Sequence, residues 1–187
     1  MSRPKSAEKR DALLSAAAEL VGELGISAPT SKIAQRAGVA EGTLFTYFPD
    51  KDALLGELHE TLSEALWEAS IGQLPQASAP KEKLRRLWDA HLDWYQEHPV
   101  AQLALPWLAL AHEGDLARAR KRELAQLFSH SWLASGARAS SEVPAAFWVS
   151  FFEGLAKTTL DFIARDRMRE EIYRRAGLEA LWNCLPR

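Results

Sequence analysis

The chain has 187 residues, 47% of them hydrophobic and 26% charged, values that suit one globular domain, or a small module fused to a larger one, and argue against disorder. The 23 Lys/Arg are balanced by 25 Asp/Glu for a formal net charge of −2, so any contact with nucleic acid is expected to be local. A single cysteine, Cys184, excludes an internal disulfide and a thiolate metal cluster.

Residues 1–10 are polar and basic and do not read as a charged-then-apolar secretion leader. Leu13, Leu14, Ala17, Leu20, Val21 and Leu24 then recur at helical spacing, and Gly25 stands where a helix would stop. Residues 31–37 read as a short helix with Ile33, Ala34 and Ala37 inward, stopped by Gly38; residues 41–48 read as another, ended by Pro49. Asp50 is a good N-cap for a longer helix with Leu54, Leu55, Leu58, Leu62, Ala65 and Ala69, fading at Gly72. Residues 72–80, with Pro75 and Pro80, form the best linker in the chain. Residues 81–97 follow with Leu84, Leu87, Trp88, His91, Leu92 and Tyr95 on one broad face.

Residues 100–112 are apolar nearly all round, which predicts a buried helix kinked at Pro106. The run is too short to span a bilayer, so a cytoplasmic protein with no membrane contact is expected. Residues 115–133 are amphipathic, residues 134–143 form a polar loop, and Pro144 opens a helix to about residue 164. A last helix spans about 169–184, with Cys184 expected inside as a small hydrophobe. With no period-two strand and no repeat, the chain is expected to be all-α.

Three helices separated by Gly25 and Gly38 make a small bundle with a helix-turn-helix at its centre, whose second helix would read base edges in a major groove. Gly38 can adopt the left-handed conformation of a sharp turn, and Val39 can plug the angle. Gly42, Thr43, Thr46 and Tyr47 are small or hydrogen-bonding, as a groove-facing surface requires, while Leu44 and Phe48 sit at i and i+4 toward the core.

The run from Ile33 through Gly38-Val39-Ala40-Glu41-Gly42-Thr43-Leu44-Phe45-Thr46-Tyr47-Phe48 to Lys51 closely resembles the helix-turn-helix signature of TetR-type transcriptional regulators. The match covers about the first 60 residues; the rest is similar only in length and helical content. The resemblance implies an N-terminal three-helix helix-turn-helix domain, residues 1–51, and a larger helical ligand-binding and dimerisation domain, residues 52–187. By position it implies that Thr30, Ser31 and Lys32 hold a phosphate, that Gly42, Thr43 and Thr46 approach bases, that Tyr47 contacts DNA, and that Lys51 pairs with a phosphate. Three positions depart from the pattern. Phe45 replaces a usual tyrosine, leaving a ring for packing; Ala40 replaces a common serine N-cap; and Pro29 replaces a threonine. Residues 1–51 hold seven Lys/Arg against six Asp/Glu, and four of the seven (Arg3, Lys5, Lys9, Arg10) lie in the first ten residues. They read as a solvated terminus or as a basic arm touching DNA.

All seven tryptophans lie beyond residue 60. Each by itself reads as core filling, but together they leave shaped space, and the resemblance implies an effector pocket among these helices. Trp88, His91, Tyr95, Trp107, Phe128, Trp132 and Phe151 would line it and favour a small apolar or aromatic effector. His91 and His98 share a face but lack a third ligand, so no metal or other cofactor is expected. On residues 144–164, Phe147, Phe151 and Thr158 form one apolar stripe and Trp148, Phe152, Leu155 and Phe162 another. One can face a partner copy, with Gly154 allowing close approach. The expected partners are therefore a double-stranded DNA operator, the effector and a second copy of the chain. The expected function is a homodimeric repressor released from a palindromic operator. The alternative is a small all-α binding protein or enzyme whose helix-turn-helix is only structural, although no catalytic triad, HExxH or phosphate-cradling loop is present.

Overall fold

The computed structural model describes residues 5–72, 74, 79–111, 115–129 and 143–185. Every regular element among them is helical, so the fold is all-α. The helices are α1 (Lys5–Leu24), α2 (Thr30–Arg36), α3 (Glu41–Tyr47), α4 (Lys51–Ser70), α5 (Pro80–Glu97), α6 (Pro99–Ala111), α7 (Asp115–Ser129), α8 (Ala145–Arg165) and α9 (Glu170–Cys184). Short 3-10 turns lie at Gly25–Ser27 and Arg167–Arg169. The expected loop at 134–142, the end of the helix expected to reach 133, and most of the linker at 73–78 lie outside the described residues. Two compact units result: Met1–Ala65 with His98–Ala117, and Leu66–Glu97 with Arg118–Arg187.

In the first unit Leu13, Ala17, Leu20 and Val21 of α1 meet Ile33 and Ala34 of α2, Leu44 and Phe48 at α3, and Leu54, Leu55 and Leu58 of α4. Each fully buried leucine contributes about 1.5–3 kcal/mol of transfer free energy. Ala104 and Leu108 of α6 complete this core. Small residues on α1 permit the approach: a β-carbon on Gly22 would stand 3.0 Å from Leu103 Cβ. Gly25 has φ +69°, a left-handed value that ends α1 as expected, and the Trp107 ring lies against it. The expectation that α6 is buried all round needs correction. Pro106 lies inside the helix, and only one face is buried: Leu103, Trp107 and Leu110 are exposed. A sequence apolar on every side carries no phase, so periodicity could not say which face the core would take.

In the second unit Leu84, Leu87, Trp88 and Leu92 of α5 pack with Val149, Phe152, Ala156 and Leu160 of α8 and with Leu178 and Leu181 of α9. The Trp88 indole donates Nε1–H to the Arg174 carbonyl at 3.0 Å. Arg174 in turn donates to Asp93 at 2.7 Å and Glu170 at 2.8 Å, and Gln96 donates to Glu170 at 3.0 Å. Cys184 is exposed rather than buried, because Leu181 and Leu185 take the inward positions of that turn.

Candidate nucleic-acid interface and effector region

The turn between α2 and α3 is built by Gly38. Its φ is +71°, its N–H donates to the Gln35 carbonyl at 3.1 Å, and the Val39 N–H donates to the Ala34 carbonyl at 3.0 Å. This is the double bond pattern of a Schellman stop, and it needs a residue that enters the left-handed region without a β-carbon penalty. Val39 is half-buried against the core, as the sequence suggests. The helix α3 then starts on Ala40, whose φ of −68° and ψ of 148° suit an N-cap but whose side chain accepts no hydrogen bond; α2 starts on Pro29 with the same lack. By contrast Asp50 caps α4, its Oδ1 accepting the Ala53 N–H at 2.7 Å.

Leu44 and Phe48 anchor α3 in the core. Thr43 and Tyr47 are half-buried, with Tyr47 packed on the same cluster, and Gly42, Phe45 and Thr46 are exposed. Phe45 does not take the packing role expected of its ring: it is 46% exposed. Thr30, Ser31 and Lys32 occupy the first turn of α2. The Thr30 hydroxyl is already engaged, donating to Glu41 Oε1 at 2.7 Å, which ties the start of α2 to the start of α3. Lys51 is half-buried at the first turn of α4.

Two basic residues of this unit are committed within it. Arg10 pairs with Glu57 and stacks over Phe48, its guanidinium carbon 4.9 Å from the ring centroid. Arg10 therefore does not belong to a free arm; Arg3 lies outside the described residues. Arg36 donates to Glu19 at 2.7 Å and Glu23 at 3.4 Å.

In the second unit Trp88 lies in the core cluster against which Tyr95 and Phe151 pack, while the ring contacts of Phe151 are to Phe147 and Trp148. The His91 ring meets Tyr95 edge-on at 5.0 Å and Phe152 at 4.8 Å. Burial pushes the His91 imidazole down to about 4, so it is neutral at pH 7. Burial and then the Glu153 charge push the Tyr95 hydroxyl up. Trp107 belongs to the first unit, against Gly25. Trp132 and the side chain of Phe128 lie outside the described residues. Sequence reasoning left Phe152 and Trp148 out of this group. Phe152 contacts both Trp88, at 5.7 Å, and His91, and the Trp148 Nε1–H is buried without an acceptor among the described residues. Helical phase was the available signal, since Trp148 and Phe152 stand at i and i+4.

No helix among the described residues is long and apolar enough to cross a membrane. Residues 13–58 match the family described as bacterial regulatory proteins, tetR family. Over 126 residues the chain is 30% identical to the HTH-type transcriptional regulator BetI of Stenotrophomonas maltophilia, a match covering 65% of this chain and 64% of that relative. The match thus spans less than two thirds of the curated relative's length. A solved TetR-family transcription regulator from Shewanella sp. PV-4 superposes with a TM-score of 0.78 at 25% identity, over 95% of this chain and 97% of that one. AibR, solved with isovaleryl coenzyme A and operator DNA, shares the fold with a TM-score of 0.73 at 18% identity, over 93% of this chain and 98% of that one.

Proposed function

We propose, from the match of residues 13–58 to the tetR family of bacterial regulatory proteins, that this chain is a homodimeric, ligand-responsive repressor of transcription of that family. The observation that carries the reading is the α2–α3 geometry: a glycine-built stop at Gly38, two anchors at Leu44 and Phe48, and an uncovered face on α3. A helix held in this way by its inner face can enter a major groove with its outer one. Relatives named as transcriptional regulators, and not as enzymes, support the same class.

The division of labour follows the chain: residues 1–51 bind the operator, and residues 52–187 bind the effector and the partner copy. Thr43 and Thr46 approach bases from α3 beside Gly42, Tyr47 grips the duplex, and Ser31, Lys32 and Lys51 meet phosphates. Thr30 supports them through Glu41. Symmetry of a dimer would place two such helices on a palindromic site. The exposed residues Phe147, Gly154, Thr158 and Phe162 of α8 and Ile172 and Ala176 of α9 supply an apolar, small-residue face for the second copy.

The effector is a small apolar or aromatic molecule held among Trp88, His91, Tyr95 and Phe151. A neutral His91 and the free Trp148 N–H add hydrogen-bonding capacity for an acceptor group on it. A ligand that binds one conformation better shifts the population toward it, and operator affinity falls by the same coupling factor. Such a protein works in the cytoplasm.

Selection from a random duplex pool by the full chain tests the reading. The expected result is a palindromic consensus whose affinity falls steeply with salt and is lowered by a flat apolar ligand. Recovery of no sequence above the starting pool would overturn it.

A further inference from the structure

Four residues of α3 are exposed: Glu41, Gly42, Phe45 and Thr46. Glu41 accepts the Thr30 hydroxyl at 2.7 Å, and Gly42, Phe45 and Thr46, spaced at i, i+3 and i+4, form the apolar part of that face. A β-carbon on Gly42 would meet no atom within 4 Å, so no described residue packs against the helix at this point. The Thr46 hydroxyl donates to the Gly42 carbonyl at 3.2 Å, which turns the oxygen back along the helix and leaves the methyl group on the other side of the β-carbon. Phe45, 46% exposed, stands between them and takes no part in the cluster that holds the helix. A lone exposed phenylalanine is ordinary on a protein surface. This one occupies the middle of the helix that the bundle presents, next to two other groups without an outward polar atom.

We propose that Phe45 is a specificity-determining residue whose ring packs on the 5-methyl group of a thymine in the operator, flanked by Gly42 and the Thr46 methyl. The proposal rests on the DNA-binding reading above and names what that surface recognises. A phenyl ring gains nothing from a phosphate, and the base edges in the major groove are donors and acceptors with one exception, the thymine methyl. That methyl is the group a ring without a hydroxyl can match. A tyrosine at position 45 would direct its hydroxyl to a polar partner instead. The hydrogen bonds that fix register are left to Thr43, Tyr47 and the lysines.

The test uses the full chain and the duplex it selects from a random pool. Each thymine is replaced singly by deoxyuridine, which keeps every hydrogen-bonding group and removes only the methyl. Wild-type binding is expected to weaken about fourfold at one such position, the value of one buried methyl-sized group. Phe45→Ala should bind the thymine and deoxyuridine forms equally there, with its dependence on the other bases kept. Phe45→Leu, which preserves an apolar side chain, should retain part of the discrimination and serves if the alanine variant binds too weakly to measure. Thymine and deoxyuridine duplexes bound alike by the wild type would overturn the proposal, as would an equal loss in the wild type and in both variants. Failure to select any sequence would overturn the regulator reading itself, whereas selection without methyl dependence overturns this inference alone.

Discussion

A β-carbon placed on Gly177 of α9 would stand 2.5 Å from Cζ2 of Trp88 on α5, and 2.8 Å from Thr159 Oγ1 on α8. Glycine is therefore what allows three helices to close around one indole, three residues beyond the carbonyl that accepts its N–H. Gly177→Ala sets two effects against each other. Alanine favours the helix by about 1 kcal/mol, but the overlap with a ring that is itself fully buried costs about 1–3 kcal/mol. The overlap is expected to win, lowering stability by up to about 2 kcal/mol in chemical denaturation. Gly56→Ala, where nothing lies within 4 Å, should instead gain up to about 1 kcal/mol. Equal shifts in the two variants would refute the close packing.

The uncapped start of α3 can be repaired. Ala40 already has the backbone of an N-cap, so Ala40→Ser should stabilise the first unit by about 1 kcal/mol, and Asp50→Ala, which removes the cap of α4, should cost a similar amount. Thermal unfolding of both variants measures the pair of opposite shifts.

Lys51 and Tyr47 should separate grip from reading. Lys51→Ala is expected to weaken binding to all duplexes and to flatten the slope of log affinity against log salt by about one unit. Tyr47→Phe keeps the ring that packs on the core and removes only the hydroxyl. Its expected effect is weaker operator binding with unchanged stability, read by titration at fixed salt beside a denaturation curve. Full affinity in the phenylalanine variant would remove the hydroxyl from the interface.

The buried His91 makes stability depend on pH in a defined window. Its folded value of about 4 lies below the ordinary value of 6.5, so between the two the unfolded chain binds a proton that the folded chain refuses. Stability is therefore lost as pH falls from about 6.5 toward 4 and is unaffected by this group above that range. His91→Leu should flatten the dependence by up to about 1.4 kcal/mol per pH unit within the window. Denaturant midpoints at pH 4.5, 5.5 and 7 compare the two proteins, and parallel curves would sink the assignment.

A β-carbon on the exposed Gly154 would meet no described atom of the neighbouring elements within 4 Å, so a larger side chain there is expected to leave the subunit core alone. Gly154→Leu should keep its helix content and its unfolding midpoint at low protein concentration while shifting sedimentation from dimer to monomer. A wild-type protein that sediments as a monomer at micromolar concentration would contradict the proposed assembly.

The helix-turn-helix was legible because its determinants are local. Gly38, Leu44 and Phe48 lie within eleven residues of one another, and each acts through a turn or a single helical phase. Phe45 was misplaced for a related reason: an aromatic side chain suggests packing, and only the positions of Leu44 and Phe48 in the core show that residue 45 points away. Longer-range facts were hidden. The burial of Ala104 and Leu108 against α1, and the exposure of Leu110 two residues on, depend on a partner some eighty residues earlier. The aromatic group at His91 was half visible. Trp88 and Tyr95 follow from one amphipathic helix, but the choice of Phe152 beside Phe151 is made by contact with α5.

Because Ala104 and Leu108 complete the core built by α1 to α4, the helix-turn-helix head is not a detachable cassette. A fragment ending after α4 would expose the small-residue side of α1, around Gly22, where α6 belongs. A graft that transfers this head onto another sensor must bring residues 98–117 with it, or supply a helix of the same small contact profile.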